Sequence, residues 1–134
     1  FKPAGQPSLA AETHAEQAEI LRWSFWAVTE CEKEALSFLM HSQLMPAARR
    51  KPQLADEAQR RLRVPLRVLE LHLQTRPYLA GERFTVADVC VASVLAWVET
   101  AQALMAACHV AEWLQRCLGR PAFQQVKLMA KKPD

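Results

Sequence analysis

Residues 86–101, VADVCVASVLAWVETA, constrain the fold more than any other segment. Apart from Asp88 and Glu99 near its two ends, the stretch is apolar on nearly every side of a helical wheel. A helix of that kind is buried in the middle of a bundle. Thr85 opens it as N-cap, and Asp88 three residues later completes a capping box. In such a box hydroxyl and carboxylate each satisfy a free backbone N–H, which is worth on the order of 1 kcal/mol. Phe84 and Val89 take the hydrophobic-staple positions around the cap. The longest apolar run, Val89–Val98, is only about half of what spanning a bilayer requires.

The rest of the chain must surround that helix, and its composition suits the task. Alanine and leucine contribute 22 and 17 of the 134 residues, against 10 Val, 1 Ile and 5 Thr, which argues against a sheet. Three glycines in all argue against the phosphate loops of dinucleotide- and nucleotide-binding folds. The expected architecture is therefore all-α, a bundle of about five helices with a long first helix and a buried central one. Residues 1–11 read as a linker or tail, 12–130 as the helical domain and 131–134 as a polar tail. The chain starts at Phe1 and not at Met, so it is expected to be a piece of something longer.

The first helix should run from Thr13, boxed with Glu16, to about Ser42, roughly 45 Å at 1.5 Å per residue. At about 100° per residue, Leu21, Phe25, Val28, Ala35, Leu36 and Leu39 form one stripe. Ile20, Trp23, Ala27, Cys31 and Phe38 form an adjoining one, and together they predict a wide core face. Arg22, Thr29, Glu30, Lys33 and Ser37 make the solvent face, where Trp26 is out of place. A large aromatic on a polar face points to a ligand or a partner. Glu32, inside the apolar stripe, reaches a cleft, pairs with an arginine of the second helix, or marks a stripe that ends before it.

That second helix is expected from about Leu54 to Thr75, after a loop holding Pro46 and Pro52. A turn at 78–82 leads to the central helix. A fourth helix is expected over His109–Leu118, and a fifth begins at Pro121 and ends near Met129.

Catalytic patterns are missing from the residues themselves. No Cys or His pair has metal-ligand spacing, and no nucleophile elbow exists. The four cysteines, Cys31, Cys90, Cys108 and Cys117, each sit in or beside an apolar helical pattern. Reduced thiols and a cytoplasmic setting are expected from that. Arg49, Arg50, Lys51, Arg60, Arg61, Arg63 and Arg67 crowd 19 residues. They read as a solvated face more than as a nucleic-acid site, because no aromatic or Gly interleaves them.

Three segments carry a family resemblance. Arg76-Pro77-Tyr78-Leu79-Ala80-Gly81-Glu82-Arg83-Phe84-Thr85-Val86-Ala87-Asp88 is similar to the "YLAG(D/E)-x-φ-(S/T)-φ-A-D" run of the glutathione S-transferase C-terminal domain, φ being apolar. Trp113-Leu114 through Gly119-Arg120-Pro121-Ala122-Phe123 resembles its "W-x-x-R-x-x-x-R-P-A-F". Leu21 through Lys33 resembles the first helix of that domain in bacterial-type members, "W-x-x-(Y/F/W)-x-x-(T/S)-E".

The resemblance implies a thioredoxin-like N-terminal domain, absent from this chain, that binds glutathione as co-substrate and carries the catalytic residue. No catalytic residue and no cofactor would then lie in these 134 residues, and the isolated chain would be inactive. The helical domain would wall the site of a small hydrophobic electrophile with Arg22, Trp26, Thr29 and Lys33. It would also contribute to a homodimer. Some bacterial-type members have a histidine before the lysine of the first helix, and here that position is Glu32. Similar helical domains also serve as protein-docking modules in translation factors and aminoacyl-tRNA synthetase assemblies.

Overall fold

The computed structural model describes residues 7–130, which fold into an all-α bundle. The expected tail over 131–134 lies outside the described residues, as do residues 1–6. Helix α1 (His14–Trp26) passes through a π turn (Ala27–Cys31) into α2 (Glu32–Leu39) and a second π turn (Met40–Leu44), so the long first helix is one rod with two interruptions. Each π turn holds a hydroxyl that bonds four residues back. Thr29 Oγ1 donates to the Phe25 carbonyl at 3.0 Å and Ser42 Oγ to the Phe38 carbonyl at 2.6 Å. Such back-bonding competes with the helical ladder and loosens it.

Helix α3 (Pro52–Leu73) starts with proline at its first position, and α4 (Val86–Leu95) continues into a single 3-10 turn (Ala96–Val98). Three helices close the bundle: the short α5 (Gln102–Met105), which periodicity did not suggest, α6 (Cys108–Leu118) and α7 (Pro121–Ala130).

The core is built by Ile20, Trp23, Ala27, Cys31, Ala35 and Phe38 of the rod, a leucine row on α3, and Trp113 and Leu114 of α6. The inner side of α4, including Ala87, Val91 and Leu95, lies between them. Two expectations are corrected here. The rod buries one of its two apolar stripes and, of the other, only Ala35 fully. Phe25 and Val28 are 67% and 58% exposed, and Leu21 and Leu36 are exposed beside them. Nor is α4 enclosed on all sides: Val86 and Ser93 are exposed, and Val89, Cys90, Val94 and Trp97 are half-buried. The physical reason is common to both. An apolar side chain needs a neighbouring layer before it can leave water, and no described element covers these sides.

Polar side chains join the elements at fixed points. Glu16 receives the Arg83 guanidinium at 2.9 and 2.7 Å, and Arg83 also donates to the carbonyls of Ser8 and Ala10. The expected box at Thr13 is half formed. Thr13 Oγ1 accepts from the Glu16 N–H, but the Glu16 carboxylate takes the N–H of Glu12. Glu70 of α3 caps α6 from outside, accepting the N–H groups of His109 and Val110 at 3.2 and 3.0 Å. Arg50 ends the rod by donating to the carbonyls of Gln43 and Met45.

Candidate functional site

The segments that carry the resemblance converge. Asp88, fully buried, is the hub. Its Oδ2 accepts the Thr85 N–H at 2.9 Å, and the Thr85 hydroxyl lies 3.4 Å away. Its Oδ1 accepts from the Leu79 N–H at 3.1 Å and from Trp113 Nε1 at 2.9 Å. The carboxylate therefore closes the capping box, fixes the preceding turn and anchors the indole of α6. That turn reverses at Gly81, whose φ of +135° is a conformation only glycine adopts freely.

The arginines of the second segment complete the clasp. Arg116 donates to the Pro77 carbonyl at 2.7 Å and lies over Tyr78, while Arg120 lies 3.8 Å over the Phe84 ring. Beside it runs an apolar groove of about 510 Å³, lined among others by Leu9, Phe84, Val89, Pro121 and Phe123.

The four residues expected to wall a substrate site lie along the rod. Arg22 is exposed, pairs with Glu19 at 3.2 Å and lies 4.7 Å over the Trp23 ring. Thr29 spends its hydroxyl on the Phe25 carbonyl, and Lys33 is exposed. Trp26 stands among the exposed side chains of Arg22, Thr29, Glu30 and Lys33. It is half-buried and packs edge-on against Trp23, with centroids 5.1 Å apart. None of the four lines the apolar groove, the polar groove between Glu12 and Arg83, or the two smaller clefts by α6 and α5.

Trp23 continues the aromatic contact to His72, 4.6 Å away. His72 donates from Nε2 to the Leu79 carbonyl at 2.8 Å and accepts at Nδ1 from Arg76 at 3.3 Å, which defines a neutral ring. Burial pulls its pKa below the ordinary histidine value. The Leu79 carbonyl opposes that, and the charges of Arg76 and Arg22 add to it.

Among the described residues Glu32 forms no ion pair with an arginine of α3. The carboxylate that meets an arginine of α3 is Glu34, 3.4 Å from Arg61, which also holds Glu57. Glu32 is half-buried on the uncovered stripe, and a charge there was the signal in the sequence that this stripe is not core. Burial pushes the thiols of Cys31 and Cys117 up to about 12, so neither is a thiolate at neutral pH. Among the described residues no three His, Cys, Asp or Glu side chains are placed to share a metal ion. No helix of the described residues is long and apolar enough to cross a membrane.

Such a bundle, clasped at the start of its central helix and uncovered on one apolar side, is a known domain. Residues 29–121 match the family described as Glutathione S-transferase, C-terminal domain, and the chain belongs to that family. Among solved structures it is similar to glutathione S-transferase III in its apo form. Identity there is 26% and the TM-score 0.84, over 98% of this chain and 62% of that one. A theta-class glutathione S-transferase from Xanthomonas axonopodis pv. citri gives 26% and 0.77, over 87% of this chain and 63% of that one.

Its curated relatives include elongation factor 1-gamma-A of Xenopus laevis, 28% identical over 91% of this chain and 28% of the relative. Elongation factor 1-gamma of Trypanosoma cruzi is 38% identical over 66% of this chain and 20% of the relative. The chain thus spans about a quarter of the elongation factors and some three-fifths of the transferases. These likenesses do not single out a bacterial-type member.

Proposed function

We propose that the chain is the hydrophobic-substrate and dimerisation domain of a glutathione S-transferase-like protein. In that protein a thioredoxin-like domain would cover the apolar sides of α1 and α4. The observation that carries this is α4 itself, a central helix apolar on nearly every side and left half-exposed on one. Leu21, Phe25 and Val28 keep 48%, 67% and 58% of their surface exposed, so covering the rest under a second domain would contribute about 1–2 kcal/mol each.

The division of labour follows from the chemistry. The covering domain would bind glutathione, lower its thiol pKa and direct the thiolate at an electrophile. The helical half would present a wall along the rod, with Arg22, Trp26, Thr29 and Lys33 toward a small apolar electrophile. With its two buried thiols protonated, this chain supplies no nucleophile from its core, and alone it should not turn over. Free thiols fit a cytoplasmic setting.

The test uses the full-length parent. Retention on immobilised glutathione, together with conjugation of a generic electrophile, is the expected result. Absence of both would overturn the transferase assignment.

A second reading has its own support. The curated relatives named above are elongation factors, and α3 displays arginines that no carboxylate among the described residues holds in an ion pair. A non-catalytic docking module of a translation-factor or synthetase assembly would use such a surface. The residues preceding Phe1 discriminate: a thioredoxin-like segment with proline followed by Glu-Ser or Asp-Ser supports the enzyme, and another kind of sequence supports docking.

A further inference from the structure

The outer side of α3 carries two parallel stripes that the bundle does not use. Arg60, Arg63 and Arg67 form one, at helical spacing and on the outer side. Val64, Val68 and Leu71 form the other, 73%, 47% and 56% exposed. Neighbouring Arg61 is engaged by Glu34 and Glu57. Among the described residues, no carboxylate lies within ion-pair distance of the other three arginines. Asp56, one turn before Arg60, is the one acid in their row.

We propose that this face of α3 is a docking surface for an acidic amphipathic helix of a partner protein. Seven residues of α3 advance about 10.5 Å, so carboxylates at matching spacing on a partner helix can address the three guanidiniums together. The partner's apolar stripe then covers Val64, Val68 and Leu71 by helix-on-helix packing.

Charge decides the occupant. A second copy of this chain would bring its own arginine row against this one, and like charges facing each other disfavour the contact. A nucleic acid would satisfy the arginines but leave three apolar side chains in water. It would also find no aromatic ring among them on which to stack a base. The proposal gives the docking reading its surface and rests on that reading. It concerns a different helix from the uncovered sides of α1 and α4, so its failure is distinguishable from failure of the two-domain proposal.

The experiment is fluorescence anisotropy of the 134-residue chain with a labelled helical peptide of about three heptads, Glu and Leu on adjacent stripes. Saturable binding is expected, weakening about tenfold as salt rises from about 0.05 M to about 0.5 M. The double variants R63E/R67E and V64S/V68S should each weaken it by about tenfold or more while leaving the circular dichroism spectrum unchanged. A scrambled peptide of the same composition should not bind. Wild-type failure to bind the striped peptide, or R63E/R67E binding as wild type does, overturns the proposal. So does duplex RNA that displaces the peptide and binds V64S/V68S undiminished, which would make the face a phosphate reader. A chain dimer in sedimentation that V64S/V68S dissolves would make it a self-interface and would overturn the proposal equally.

Discussion

Replacing Asp88 by alanine should come close to unfolding the domain. From the sequence, Asp88 is half of a capping box, and losing it should cost about 1 kcal/mol. The structure raises the figure. The Asp88→Ala variant removes the acceptor for three buried N–H donors: Thr85 N–H, Leu79 N–H and Trp113 Nε1–H. A buried donor left without a partner costs about 1–3 kcal/mol. Three of them, with some relaxation, give about 4–6 kcal/mol, against about 5–15 kcal/mol for a whole domain.

Asp88→Asn keeps one carbonyl oxygen and turns an amide toward a donor, so an intermediate loss of about 2–3 kcal/mol is expected. Thr85→Ala leaves the carboxylate network standing and should cost about 1 kcal/mol. Urea unfolding followed at the helical circular dichroism band supplies all three values, and the asparagine variant keeps the series measurable if the alanine variant does not fold. The reasoning is refuted if Asp88→Ala costs no more than Thr85→Ala.

Other consequences are as direct. Burial alone would raise the Glu70 pKa, but hydrogen bonds from His109 and Val110 outweigh it and hold the group below its ordinary 4.5. A depressed folded pKa gives stability that is present above the unfolded value and is lost as pH falls through the folded one. Glu70→Gln should therefore cost about 1 kcal/mol at neutral pH and flatten the acid limb of a stability-versus-pH curve below about 4.5; a parallel limb would refute the cap. Phe25→Ser with Val28→Ser should shift the stability of the isolated chain by no more than about 0.5 kcal/mol, because both side chains are already in water. The same pair should weaken the two-domain parent in calorimetry, and a collapse of the isolated chain would place them in the core. Under native conditions a thiol reagent should label exposed Cys108 rapidly and Cys31 and Cys117 only on unfolding, as mass spectrometry of the labelled peptides would show.

What could be read from the sequence was local. The box at Thr85 and Asp88, the proline that starts α7 and the extent of the rod all follow from groups within a turn of one another. Longer-range relations were not legible. Apolarity on a wheel marks a side that avoids water, but not whether this chain or another layer covers it, so Leu21, Phe25 and Val28 were grouped with the core. Trp26 stands on the polar side, yet its edge contact with Trp23 half-buries it, which a helical angle alone does not show. Glu34 and not Glu32 meets α3 because pairing depends on how two helices lie together, which spacing along one of them does not encode. Glu70 capping α6 from α3 joins positions 39 and 40 residues apart, and no motif signals that.

Arg83 has a mechanical consequence. Its guanidinium grips the carbonyls of Ser8 and Ala10 and the carboxylate of Glu16 together, and the Val86 N–H holds the Leu9 carbonyl at 3.0 Å. Residues 8–10 are thus a clamped joint and not a swivel. A domain joined upstream of this segment would inherit a set bearing relative to the bundle. Cutting the clamp at Arg83 would turn a rigid coupling into a loose one without touching the core of the bundle.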